Sequence, residues 1–213
     1  MRIPRFLAAG LTASAIVSLA AAMAQTPSTP IDRIEEDWKV VVATPDVTGV
    51  GPQVTTCMSP VSNGSTPFVA FDVNYREFPT FAAGGMQLQV WSGGSVLSTA
   101  TLGTAQFTTT NETITWTQSM QLSSGNIAYD IMSGRSTTWG RFGQGNGNLN
   151  VSFPTTLTDL SPSYSPDVSA NKSGVSWESN YVTSMTLVQV RYYSSGSLVA
   201  TDTVARPIAL GNN

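Results

Sequence analysis

Two glutamates and a small set of tryptophan, arginine, asparagine and tyrosine side chains have the types that chemistry would need. Glu77 in "NYREFP" and Glu178 in "SWESN" sit beside aromatics and far apart in the chain. A carbohydrate-cleaving acid and its nucleophile would be arranged in this way. The competing reading, solvated carboxylates near strand ends, carries more weight. A second group lies in "STTWGRFGQGNGNLNV", residues 136–151, where Trp139, Arg141, Asn146 and Asn148 crowd among glycines. Such a group can stack a sugar ring and hydrogen-bond its hydroxyls. Trp91 and Tyr192, with Tyr193 beside it, are the remaining candidates for exposed aromatics.

Absent residue types narrow the chemistry further. The 213 residues include no histidine and a single cysteine, Cys57. Ser-His and Cys-His nucleophile pairs are therefore excluded, as are imidazole ligands for zinc or copper. Only oxygen ligands remain, and these suit Ca²⁺. No calcium-loop motif is present, so such a site would have to be assembled from scattered groups such as Asp159 and Asp167. No cofactor is expected. Cys57 has no partner for an internal disulfide and reads as a small buried side chain.

The N-terminus sets the expected compartment. "MRIPRFLAAGLTASAIVSLAAAMAQ" has a cationic head, an apolar run and small residues at 22 and 24. This is the pattern of a cleaved export signal spanning 1–24. Its removal takes Arg2 and Arg5 and leaves eight basic against 13 acidic residues, a net charge of −5. Lysine is confined to Lys39 and Lys172. Nucleic acid and anionic membranes are thus poor partners. The expected product is extracytoplasmic, secreted or periplasmic, and is not inserted in a membrane after cleavage.

Residues 25–34 read as a Pro/Ser/Thr tether and 35–213 as one domain. Within that domain, apolar residues recur with period two between Gly, Pro, Asn and Ser signals. "FVAFDVNY" sets Val69, Phe71 and Val73 on one face, and "GMQLQVW" sets Met86, Leu88 and Val90 inward with Gln87, Gln89 and Trp91 outward. "ETITWTQSMQL" places Ile114, Trp116, Met120 and Leu122 together, with Gln118 interrupting the face. The expectation is an all-β, antiparallel two-sheet sandwich of about ten strands, jelly-roll-like, with one wet face per sheet. At most one short helical turn is expected, at "SPDVSANKS", where the Asp167 side chain could support a cap.

"LQVWSGGSVLSTATL" echoes "VQVRYYSSGSLVATDTV", each reading as strand, Ser/Gly turn and returning strand. Aligned with two extra residues before the second turn, Trp91 falls opposite Arg191. Residues 144–147 read first as a hairpin tip rather than a phosphate loop, because a strand and not a helix follows. Trp139 and Phe142 then either cap the core or stand at a rim.

The segments "IEEDWKVVVATPD…PQVTTCMSP", "GGMQLQVW" and "TTWGRFG" look like those of exported single-domain bacterial β-sandwich proteins of unassigned activity, concanavalin A-like in appearance. The resemblance implies a sandwich and an exported product, and carries over no site residue. The expected function is a non-catalytic structural or adhesion-type role in the cell envelope or extracellular matrix, with self-association. The alternatives are a carbohydrate-binding, lectin-like module taking a glycan or envelope polymer, and a jelly-roll glycoside hydrolase using Glu77 and Glu178.

Overall fold

The computed structural model describes residues 29–42, 54–62, 67–73, 85–102, 111–138, 140–144, 149–175 and 182–210. In chain order its elements begin with β1 (Arg33–Val42), β2 (Val54–Met58), β3 (Phe68–Val73), β4 (Met86–Ser92) and β5 (Ser95–Leu102). There follow β6 (Glu112–Ser123), β7 (Asn126–Ser136), β8 (Gly140–Phe142), β9 (Asn150–Pro154) and the helix α1 (Pro166–Lys172). The chain continues through β10 (Gly174–Val175), β11 (Val182–Ser194), β12 (Ser197–Asp202) and β13 (Arg206–Pro207).

Two antiparallel sheets pack face to face, which makes the protein an all-β sandwich. The larger runs β12-β11-β1-β6-β7-β8, with β13 also pairing β11 and β9 also pairing β7. The smaller runs β10-β2-β3-β4-β5. The inward faces are those that period-two reading selects. Trp38, Val40, Ile114, Met120, Ile131 and Leu187 from the large sheet meet Val69, Phe71, Leu88 and Val90 from the small one, all at 2 % exposure or less. Aromatic rings bridge the two layers. Trp116 stacks on Trp38 at 6.4 Å and receives Phe71 edge-on at 5.4 Å, while Phe142 stacks on Phe71 at 6.3 Å.

Three strands were not legible as period-two runs: β8, β10 and β13 have only two or three residues. The expected wet outer face holds in part for the large sheet, where Lys39, Thr115 and Gln121 are exposed but Glu35, Thr117 and Ser119 are buried, and fails for the small one. There Gln87, Gln89, Asp72 and Cys57 are all buried. Thr55 donates to Asp72 at 2.5 Å, and the Ser173 hydroxyl accepts the Cys57 amide at 2.9 Å. Short polar side chains can alternate along a strand without facing water when neighbours satisfy them. Cys57 is free and buried, and burial pushes its thiol up to about 12.

The helix forms where expected, with Ser165 at its N-cap in an extended conformation and proline in its first turn. Asp167 does not cap it, because its carboxylate pairs with Arg206 at 2.5 Å instead. Among the described residues, no helix is long and apolar enough to cross a membrane.

Candidate functional site

Alternation along β1 sends Glu35, Asp37 and Lys39 to the outer face of the large sheet and Glu36 to the core. On the outer face, register places Glu35 opposite Arg191 and Asp37 opposite Gln189. Arg191 holds Asp37 with two nitrogens, at 2.7 and 2.8 Å, and reaches Glu35 with its Nε at 3.0 Å. Thr117 and Gln189 donate to Asp37 at 2.7 and 2.6 Å, and the Tyr193 hydroxyl donates to Glu35 at 2.8 Å. Arg33 lies over the Tyr193 ring, 3.9 Å from its centroid. This network zips β1, β6 and β11 together, and its two carboxylates are already spent on donors of their own sheet.

Glu36 points the other way and is wholly buried. Trp38 Nε1 donates to one carboxyl oxygen at 3.0 Å and the Tyr164 hydroxyl to the other at 2.7 Å. Ser169, carried on α1, also bonds to it. Burial outweighs these donors and raises its pKa to about 7. Its neighbour across the ladder is Gln118, also wholly buried, whose Oε1 accepts from Thr56 of the opposite sheet at 2.8 Å. Gln118 Nε2, the Tyr129 hydroxyl and Trp116 Nε1 are buried without partners among the described residues. The arrangement is a polar seam inside the sandwich, able to hold a proton but closed to a substrate. Its trace in the sequence is Gln118, the one polar interruption in an apolar face.

A second buried carboxylate, Glu112, begins β6 at 1 % exposure. Its Oε1 accepts from the hydroxyls of Ser136 and Thr138, the latter at 2.6 Å. It thereby fastens the turn after β7 that leads into β8.

Of the residues singled out in the sequence, the three that are described, Trp91, Arg141 and Tyr192, do not converge. Trp91 is half-buried at the end of β4, with its Nε1 donating to Gln89 at 3.2 Å. Arg141 is exposed on the outer face of the large sheet, so the two stand on opposite faces of the sandwich. Tyr192 is not an exposed aromatic. It faces inward at 9 % exposure, edge-on to Tyr164 at 6.0 Å, because alternation sends its neighbours Arg191 and Tyr193 outward. Phe142 is buried and takes the core-capping role. Trp139, Asn146, Asn148, Glu77 and Glu178 lie outside the described residues. Asp159 and Asp167, weighed as calcium ligands, are engaged elsewhere. Asp159 accepts the amides of Ile31 and Ser161, each at 2.8 Å, and Asp167 pairs with Arg206. Among the described residues, no three His, Cys, Asp or Glu side chains gather as a metal site.

The sequence echo is structural, but in a different register. Both copies are two-residue turns with positive φ at each position, Gly93-Gly94 at 56° and 80° and Ser195-Gly196 at 50° and 80°. Trp91 pairs with Val96 as Tyr193 pairs with Leu198, and each returning strand then carries one bulged residue, Leu97 or Val199. Trp91 is thus equivalent to Tyr193 rather than to Arg191. The returning strands β5 and β12 are the outermost strands of their sheets. Both expose an adjacent pair of large apolar side chains: Val96 and Leu97 at 41 % and 56 %, Leu198 and Val199 at 54 % and 42 %.

No model of a known protein family matches the chain, and no curated protein aligns with it significantly.

Proposed function

We propose that the protein is an exported, non-catalytic β-sandwich with a structural or adhesion-type role in the cell envelope or extracellular matrix, acting through its sheet edges. The observation that carries this reading is the pair of matched apolar edges. Outermost strands offer unpaired backbone groups to other chains, and proteins that stay monomeric guard them with lysine, proline or inward charge. The strand β5, "SVLSTATL", has no charge and no proline. On β12 the single charge, Asp202, is the last residue of the strand and pairs with Arg206 at 2.8 Å, so the stretch from Ser197 to Thr201 carries no charge and no proline. A β5 edge at one end of one sheet and a β12 edge at the end of the other suit head-to-tail addition of copies.

Sedimentation velocity across a concentration series tests this. The protein is expected to associate as concentration rises, and the double substitution Leu97→Lys with Leu198→Lys to hold it monomeric with an unchanged far-ultraviolet spectrum. A wild-type protein that stays monomeric throughout the series would sink the reading.

Carbohydrate binding is the second reading, and it is favoured by exposed Arg141 on the large sheet. The hydrolase reading rests on Glu77 and Glu178 alone and gains no support from the described residues.

A further inference from the structure

Four of the seven cationic side chains among the described residues have a partner. Among the described residues, Arg33, Arg191 and Arg206 have carboxylate partners, and Lys172 lies near the Phe68 ring, 5.7 Å from its centroid. Lys39, Arg135 and Arg141 are exposed, and no carboxylate of the described residues lies within ion-pair distance of any of them. Register puts these three in a single row. Lys39 pairs with Thr115, Thr115 with Arg135, and Arg135 with Arg141. Directly paired residues of antiparallel strands share a face, so the row crosses β1, β6, β7 and β8 on the outer side of the large sheet. With about 4.8 Å between strands, it spans about 14 Å.

Two arginines directly opposite each other repel, at a cost to the sheet, unless an anion lies between them. The local backbone is also bent for the purpose. Opposite Trp116, where one residue would be expected, β7 inserts both Ser133 and Gly134, and Ser133 adopts φ 53°. Bulges and left-handed non-glycine residues recur beside binding sites, where they redirect side chains. Here the bulge opens two adjoining depressions that share Ser133. One, of about 370 Å³, is lined by Arg135, Arg141 and Gln144, and the other, of about 480 Å³, by Lys39, Thr115 and Thr117 together with the Asp37–Arg191 ion pair. The nearest acids on this face have donors of their own: Asp37 pairs with Arg191, Glu35 with Arg191 and Arg33, and Asp130 accepts from Asn150 at 2.6 Å.

We propose that this row is a binding track for a linear acidic polysaccharide, whose carboxylates or sulfates meet Lys39, Arg135 and Arg141 while sugar hydroxyls meet Thr115, Ser133 and Gln144. A glycan fits better than a nucleic acid. Three cations neutralise too few phosphates to hold a duplex at physiological salt, and the rest of the chain is acidic. Hydroxyl and amide side chains between the charges suit a ligand that alternates acid groups with hydroxyls. The track stands apart from β5 and β12, the two edges of the proposed association, so its failure would leave that association untouched.

Affinity electrophoresis of the purified protein through gels containing polygalacturonate, heparin, dextran or inorganic polyphosphate is the test. Retardation by at least one acidic polysaccharide is expected, with none by dextran or polyphosphate. Arg135→Gln with Arg141→Gln should weaken binding by about two- to thirtyfold, as the loss of two exposed charge contacts implies. Lys172→Gln, which removes the same kind of charge away from the row, should leave binding unchanged. Both exposed arginines can be replaced without disturbing the core, and an unchanged melting temperature would verify that. Equal retardation by polyphosphate would overturn the glycan assignment. No retardation by any acidic polymer, or weakening by Lys172→Gln equal to that of the arginine pair, would overturn the track itself.

Discussion

At the scale of single residues, the most consequential side chain is one that no motif marks. Glu36 binds its proton more tightly in the folded chain than in the unfolded one, because burial raises its pKa from 4.5 to about 7. Its contribution is therefore fully present below about pH 4.5 and is lost as pH rises through 7. Asp72, raised by burial from 3.8 to about 6, acts in the same direction. Thermal unfolding followed from pH 5 to pH 8 should show stability falling with pH, by about 3 kcal/mol from Glu36 at the conversion of 1.36 kcal/mol per pKa unit. Glu36→Gln keeps an acceptor for Tyr164 and removes the ionisation, so most of that slope should vanish. A slope undiminished in Glu36→Gln would show that the proton resides elsewhere. Two adjacent glutamates in a strand cannot both face water, and this much the string "RIEEDW" does declare. Which of the two is buried follows only from the phase of the alternation around it.

Among the elements, β7 and β8 show how closely a short strand depends on what it covers. The β8 strand has three residues and no periodicity of its own. It is held by Phe142, whose ring lies against Gly134 of the β7 bulge. A Cβ at position 134 would come within 2.5 Å of that ring. Gly134→Ala should therefore cost about 1–3 kcal/mol, the usual range for overpacking a filled core, measured by urea unfolding. It should also shift Phe142 and Arg141, whereas Gly174→Ala, where nothing lies within 4 Å of the added carbon, should come close to neutral. The longer strands were legible because their inward residues repeat every second position. The glycine-rich stretch was legible only as a turn, since a glycine placed to admit an aromatic ring and one placed to bend the chain look identical in a sequence. The arginine pair was invisible for a related reason. Arg135 and Arg141 are six residues apart, and only the register of a strand too short to recognise makes them neighbours.

For the whole molecule, two layers, a largely apolar interior and, among the described residues, a single short helix follow from composition and period, as the sequence leads one to expect. The pairing between sheets did not follow. Gln118 touches Thr56, and Glu36 touches Tyr164, across separations in the chain that no local pattern encodes. The order of the strands is equally non-local. The central β1 has β6 on one side and β11 on the other, with Arg33 opposite both Gln121 and Tyr193. A chain ended after residue 181 would lack β11, β12 and β13 and leave Ile34, Trp38 and Val40 without their partners Tyr192, Leu187 and Met185. Such a chain should show no cooperative thermal transition by calorimetry, and a sharp one would show that the remaining strands form a domain unaided.

That central position also bears on when the fold can appear. The strand synthesised first waits for one synthesised nearly last, and closing so long a loop is the slow kind of contact to make. Three Ser-Gly or Gly-Gly hairpins can form locally and early, at residues 93–94, 124–125 and 195–196. The large sheet cannot close around β1 until β11 has emerged. A chain built this way carries local hairpins but no closed large sheet for most of its synthesis, and becomes a sandwich only once its last hairpin is free.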